Sequence, residues 1–160
     1  MSYDKNLAAA EEPSKILLHH SGNAIDTVAG IISLHRSKWI DEGYDLIIHN
    51  GESFAGTGKK NNGTVNICMA GNWMRQLPPA ESINELVRIL VQQCNALGVD
   101  PSEIMGHRDV GKNNCPGSAL HAYLPDIRAR VADRLKKEVA EAKPKAKKEV
   151  KNVRRKKEDI

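Results

Sequence analysis

The stretch Gly106-His107-Arg108-Asp109-Val110-Gly111-Lys112-Asn113-Asn114-Cys115-Pro116-Gly117 constrains this 160-residue chain more than any other. It sets a histidine and a cysteine eight residues apart across a glycine-containing loop. Far upstream, Lys15-Ile16-Leu17-Leu18-His19-His20-Ser21 reads as a strand ending in a second imidazole, His19. A fold that joins His19, His107 and Cys115 makes a three-ligand set for Zn2+, with the fourth position open to water, as in reactive rather than structural zinc sites. Asp109 is placed to orient His107 or to brace the loop. Cys115 precedes Pro116, and proline is favoured at the first turn of a helix. A thiol at a helix N-terminus is expected to ionise more readily, and the thiolate is the form zinc needs. Two other readings stay open at this point. His107 and Cys115 could be a loop histidine and a buried cysteine that never meet, or a Cys–His nucleophilic pair, which does not require His19.

The rest of the chain supplies a frame of alternating elements. Ile16–His19 reads as a strand, Asn23–Trp39 as a helix, and Gly43–His49 as a second strand closed by the turn dipeptide Asn50-Gly51. Glu52–Gly63, rich in Gly, Lys and Asn, reads as a mobile loop, and Thr64–Ala70 as a third strand. Pro78-Pro79 opens the clearest helix. Ile83, Leu86, Val87, Leu90, Cys94 and Leu97 lie on one face of it, and Gly98 stops it. Ser102–Gly106 reads as a fourth strand that delivers His107. A last helix runs from Ser118 towards Ala142 with Leu124, Ile127, Val131, Leu135 and Val139 on its stripe, and Pro144 is expected to break it. Strands alternating with helices predict a single α/β domain, a central mixed sheet flanked by helices. A basic C-terminal tail, helical or disordered, follows it. The expected boundaries are an arm at 1–13, the domain at 14–135 and the tail at 136–160.

Charge separates tail from body. Residues 136–160 hold eleven Lys and Arg against five Asp and Glu, a net of +6, whereas residues 1–135 hold thirteen against fifteen, a net of −2. The basic character is therefore appended and does not describe the body's surface. A lysine-rich segment with interspersed Glu suits a solvated helix or flexible end, or adhesion to an anionic cell-wall or membrane polymer. No aromatic is interleaved to stack bases, so specific nucleic-acid binding is not expected. No apolar run approaches the roughly 20 residues of a membrane-spanning helix, and the first dozen residues lack the apolar stretch of a signal peptide. Three cysteines without an export signal argue against a disulfide framework. Cys68 and Cys94 fall on apolar patterns and read as buried small hydrophobes. His20 points away from His19 if this segment is a strand and reads as packing. His35 and His121 read as satisfied helix residues, and His49 as lying on the face opposite Tyr44.

Leu17-Leu18-His19-His20-Ser21, Trp39-Ile40-Asp41-Glu42-Gly43-Tyr44, Asn66-Ile67-Cys68-Met69-Ala70-Gly71 and the His107-to-Gly117 segment occur in an order that is itself informative. Over roughly residues 14–130 the chain resembles the zinc-dependent N-acetylmuramoyl-L-alanine amidases, the family shared by phage lysozyme-like amidases and peptidoglycan recognition proteins. The resemblance implies His19, His107 and Cys115 as ligands of one Zn2+. It implies Tyr44 as the tyrosine held beside the metal, orienting water or donating to the oxyanion. The implied reaction is hydrolysis of the amide between N-acetylmuramic acid and L-alanine, with peptidoglycan as partner and a monomer as the working unit.

This sequence also departs from the family pattern. Where phage-type amidases usually carry a lysine two residues before the cysteine ligand, and several relatives a threonine, this chain has Asn113; Lys112 is adjacent. An amide donates a hydrogen bond but does not titrate near neutral pH. Asp45 replaces the histidine common after the strand tyrosine, and the Tyr44–Cys68 span is about ten residues shorter than in the phage relatives. The absence of a signal peptide suits a phage-type endolysin, made in the host cytoplasm and reaching the wall after membrane permeabilisation. Two alternatives within the resemblance are a non-hydrolytic peptidoglycan-binding module and a cytosolic amidase of wall-recycling fragments. The first typically lacks the cysteine ligand and the second usually uses a carboxylate there, so Cys115 counts against both.

Overall fold

The computed structural model describes residues 14–23, 27–38, 43–58, 63–111 and 113–158, with backbone only over 35–38 and 143–158. The arm at 1–13 and Lys112 lie outside the described residues, as does the His35 side chain. Five strands form one mixed sheet: β1 (Lys15–His20), β2 (Leu46–His49), β3 (Glu52–Ala55), β4 (Thr64–Met69) and β5 (Ile104–Gly106). Their order is β3-β2-β4-β1-β5, parallel throughout except for the antiparallel β2–β3 pair. Among the described residues three helices accompany the sheet: α1 (Val28–Lys38), α2 (Ala80–Leu97) and α3 (Ser118–Glu158).

Among the described residues the two faces of the sheet are covered unequally. Period-2 alternation sends Ile16, Leu18, Val65, Ile67, Met69, Ile48 and Ile104 to one side. There they meet Leu86, Leu90 and Cys94 of α2 and Leu120, Leu124, Ile127 and Val131 of α3, within a core of nineteen buried residues. The α2 stripe is the one its sequence spacing predicts, and Gly98, with φ of +67°, ends the helix in the left-handed conformation. On the opposite face the described residues form a smaller buried cluster, Ile31 from α1 with Ile47, Cys68 and Ala70, and Tyr44 packs against it. His19, two residues on from Leu17, emerges on this second side and at the carboxyl end of a central parallel strand. That is where open α/β sheets leave room for a ligand.

Several boundaries differ from the sequence reading. Glu52–Ala55 is a strand and not part of a loop. Asn50 and Gly51, with φ of +50° and +79°, form a two-residue turn whose geometry returns the chain antiparallel onto β2. Ser82, a buried hydroxyl on α2, accepts the Gly51 N–H at 3.0 Å and pins the hairpin to the helix. β2 begins at Leu46, so Tyr44 precedes the strand; Asp45 carries the ladder onward, its N–H donating to Asn66 O at 2.8 Å. β5 is only three residues long because Asp100 accepts the Ser102 N–H at 2.9 Å and winds Pro101–Glu103 into a 3-10 turn. α1 starts at Val28.

The last helix does not stop at Pro144: α3 runs 41 residues to Glu158. A proline inside a helix removes one N–H and costs about 3 kcal/mol, but the flanking segment is rich in Ala, Lys, Glu and Arg, which favour helix. At about 1.5 Å per residue α3 is about 60 Å long. From Lys136 to Ala142 every residue is exposed. Among the described residues no helix is long and apolar enough to cross a membrane.

Candidate metal centre

Three elements converge at the carboxyl end of β1. His19 is the penultimate residue of that strand and is buried. β5, hydrogen-bonded beside β1, ends at Gly106, and the chain turns at once into a 3-10 turn that carries His107. The His19 and His107 rings stand 4.8 Å apart between centroids, tilted at 54°. Cys115 returns from the loop to β1, where its Sγ accepts the His20 backbone N–H at 3.3 Å. One ligand atom from each of His19, His107 and Cys115 lies within 4.8 Å of the others, a cluster that could hold a metal ion. The sequence reading that His107 and Cys115 never meet is therefore excluded.

The donor chemistry fits zinc. Tetrahedral coordination at about 2.0 Å to nitrogen and 2.3 Å to sulfur needs donors about 3.3–3.6 Å apart, so the observed cluster needs only small side-chain adjustments to close on an ion. Two imidazoles and a thiol are borderline-soft donors that suit this metal better than magnesium or calcium.

The ligand loop is held from several sides. Arg108 N–H donates to Cys115 O at 2.7 Å, tying the two ends of the loop together. Asp109 braces the loop and makes no hydrogen bond to His107 that the structure shows. Its Oδ2 accepts the Gly106 N–H at 2.9 Å and its Oδ1 pairs with His121 Nε2 at 2.8 Å. Burial pulls the Asp109 carboxyl up, but the His121 and Gly106 hydrogen bonds outweigh it and hold the group below its ordinary value. His121 is thus a satisfied helix residue, as its place in the sequence suggests.

Trp73 joins the loop to the body. Its carbonyl accepts the Ala119 and Leu120 N–H groups at 3.1 and 3.3 Å and so caps α3. Its own N–H donates to His20 Nδ1 at 3.2 Å and its indole N–H to Met69 O at 3.0 Å. His20 is accordingly a packing residue, and burial lowers its pKa. Neither Trp73 nor Asn66, whose amide lies against His19, was singled out by spacing. Both act through a backbone group or a cross-strand neighbour, for which a linear sequence carries no signal.

Cys115 is not at a helix N-terminus. α3 begins three residues later, and burial pushes the thiol's pKa up, opposed by the His20 N–H. The expectation of a thiol acidified by a helix end is corrected: any stabilisation of the thiolate comes from the backbone of β1 and from a bound cation. Cys68 is fully buried, and burial together with Asp100 pushes Cys94 up to about 11, so neither is a reactive thiol.

The remaining predicted site residues fall around this cluster. The Tyr44 ring lies 5.1 Å from the His19 ring between centroids. Asn113 Oδ1 accepts the Cys115 N–H at 3.0 Å, an Asx turn that shapes the loop in front of the thiol. A Cβ on Gly111 would meet Asn113 Nδ2 at 2.9 Å and His107 Nε2 at 3.5 Å, so the Asn113 amide and the His107 imidazole flank that glycine.

Comparison with known proteins identifies the family and the fold. Residues 9–118 match the family model described as N-acetylmuramoyl-L-alanine amidase. Peptidoglycan-recognition protein LB of Drosophila melanogaster is 30% identical over 97 residues, 54% of this chain and 42% of that protein, so the match spans less than half of that relative's length. Two solved structures from Clostridium intestinale share the fold at 21% identity. The N-acetylmuramoyl-L-alanine amidase LysC aligns with a TM-score of 0.68 over 76% of this chain and 86% of its own. The endolysin LysCS aligns with 0.67 over 76% and 84%.

Proposed function

This chain belongs to the N-acetylmuramoyl-L-alanine amidase family, and from that premise we propose that it is a Zn2+-dependent hydrolase of the amide between N-acetylmuramic acid and L-alanine in peptidoglycan. The observation that carries the reading is the convergence of His19, His107 and Cys115 within 4.8 Å. These three residues would hold the ion. When bound, zinc supplies Lewis-acid polarisation of a carbonyl and activation of water near neutral pH.

The chain's own residues supply the rest. Tyr44, packed against the Ile31–Ile47–Cys68–Ala70 cluster, presents its phenol beside His19 and donates a hydrogen bond to the carbonyl oxygen as negative charge develops on it. Asn113 keeps the Cys115 loop in register through Oδ1 and offers Nδ2 as a neutral donor to substrate. It cannot deliver a proton. Lys112, outside the described residues, is the adjacent cation.

The protein acts as a phage-type endolysin in this reading, made in the host cytoplasm and reaching the wall after membrane permeabilisation. It works as a monomer. Its basic C-terminal segment, net +6 over 136–160, adheres to anionic cell-wall or membrane polymers. The endolysin LysCS among the structural neighbours supports that setting. A second reading, binding without hydrolysis, draws on Asn113, an amide that cannot titrate at the position two residues before the cysteine.

One experiment separates the two. Purified sacculi are digested with the protein, with and without chelator and zinc add-back, and the products are identified by mass spectrometry. Stem peptides beginning with free L-alanine, lost on chelation, restored by zinc and absent with Cys115→Ala, support the amidase. Intact glycan–peptide links on tightly bound sacculi, or an active metal-free Cys115→Ala variant, refute it.

A further inference from the structure

Asn66 stands on β4 beside the proposed metal centre. The β1–β4 register pairs Leu17 with Asn66 and His19 with Cys68, so Asn66 and His19 emerge diagonally on the same face. Asn66 Oδ1 lies 2.7 Å from His19 Nε2. A carboxamide oxygen carries lone pairs and no proton, so the imidazole must donate in this contact. A neutral imidazole has one N–H only; with that proton on Nε2, the lone pair resides on Nδ1. Asn66 is itself fixed from both sides by a single residue. Its N–H donates to Asp45 Oδ2 at 2.7 Å, and its carbonyl accepts the Asp45 N–H at 2.8 Å.

Resting on the zinc reading above, we infer that Asn66 is a positioning residue for His19: it selects the tautomer that presents Nδ1 to the ion and fixes the ring's orientation, while Asp45 holds Asn66 in place. This gives Asp45 a role, at a position where the phage-type relatives commonly carry a histidine. The Asp45 departure is thereby linked to the site, because its carboxylate reaches the β4 backbone at the residue that contacts His19. A neutral amide acceptor orients the imidazole without adding negative charge to a site that already contributes a thiolate.

The test measures zinc affinity, not turnover. Dissociation constants are taken by competition with a chromophoric chelator for the unsubstituted protein, Asn66→Leu and Asn66→Asp. Asn66→Leu removes the acceptor at similar volume and is expected to weaken zinc binding about 10–100-fold. Asn66→Asp keeps an acceptor oxygen and is expected to stay close to the unsubstituted protein. Equal affinity in all three, or an equal loss in both variants, overturns the assignment. An unsubstituted protein that binds no zinc overturns the proposed function along with it, whereas tight binding with an indifferent Asn66→Leu overturns this inference alone. A second measurement needs no variant and so does not depend on Asn66→Leu folding. In the metal-free protein at pH 8, long-range 1H–15N correlation should show His19 Nε2 as the protonated nitrogen and Nδ1 as the unprotonated one, and the reverse pattern overturns the inference.

Discussion

Gly117, two residues after Cys115, offers the sharpest test of how the ligand loop is held. Its φ is +101°, and an added Cβ would lie 2.4 Å from both the carbonyl carbon and the oxygen of Trp73 and 2.9 Å from Met74 N. Ordinary contact begins at 3.4 Å, so the two backbones must separate by about 1 Å, an overpacking that typically costs about 1–3 kcal/mol. Trp73 cannot easily withdraw, because its carbonyl caps α3 and its two N–H groups are bonded to His20 and Met69. Holding alanine at positive φ adds about 1–2 kcal/mol, so Gly117→Ala should cost about 3 kcal/mol in all. Gly98 provides the control: its φ is +67°, but nothing lies within 4 Å of an added Cβ, and Gly98→Ala should cost only about 1 kcal/mol. Urea denaturation of the metal-free proteins reads the difference. For a chain of this size 3 kcal/mol corresponds to a fall of about 6–12 °C in Tm. Gly117→Ala should also bind zinc more weakly, because the displaced backbone carries Cys115 with it. A Gly117→Ala variant within about 0.5 kcal/mol of Gly98→Ala and with undiminished zinc affinity would refute the close approach to Trp73 as the support of the loop.

Two further outcomes follow from the site and the core. Tyr44→Phe should retain zinc and sacculus binding while kcat falls about 10²–10³-fold, the usual loss on removing one oxyanion donor; steady-state kinetics with unchanged KM checks it, and an unaltered kcat would remove Tyr44 from the chemistry. Burial and Asp100 raise the Cys94 thiol from 9.0 to about 11 in the folded protein. Its contribution to stability is therefore full below about pH 9 and is lost as pH rises towards 11, because the unfolded chain ionises first. Urea midpoints measured across that window should fall less steeply for Cys94→Ala than for the unsubstituted protein, and parallel slopes would contradict the assignment.

Much of the fold could be read from local pattern. The α2 stripe from Ile83 to Leu97, the β1 run ending in His19 and the αL stop at Gly98 depend on neighbours within one turn or one strand, so periodicity and turn chemistry suffice to specify them. The hairpin strand Glu52–Ala55 escaped the pattern because its four residues carry one large apolar side chain, Phe54, and the strand is defined by pairing with β2. The helix through Pro144 escaped because proline's local penalty is weighed against a whole segment's preference.

At the candidate site, sequence alone determined which residue types were available: two imidazoles, one thiol and one phenol, in an order that matches an amidase family. The imidazoles and the thiol are read from residue type and spacing, whereas the phenol's place beside them is what the family resemblance implies. Tertiary structure alone decided that β1 and β5 lie side by side so that His19 and His107 face each other. It also decided that Cys115 answers to the β1 backbone and not to a helix end, and that Asn66 meets His19 across 47 residues of chain. Contacts of that kind are set by strand order and register, which depend on burying one shared core. No local stretch of sequence encodes them.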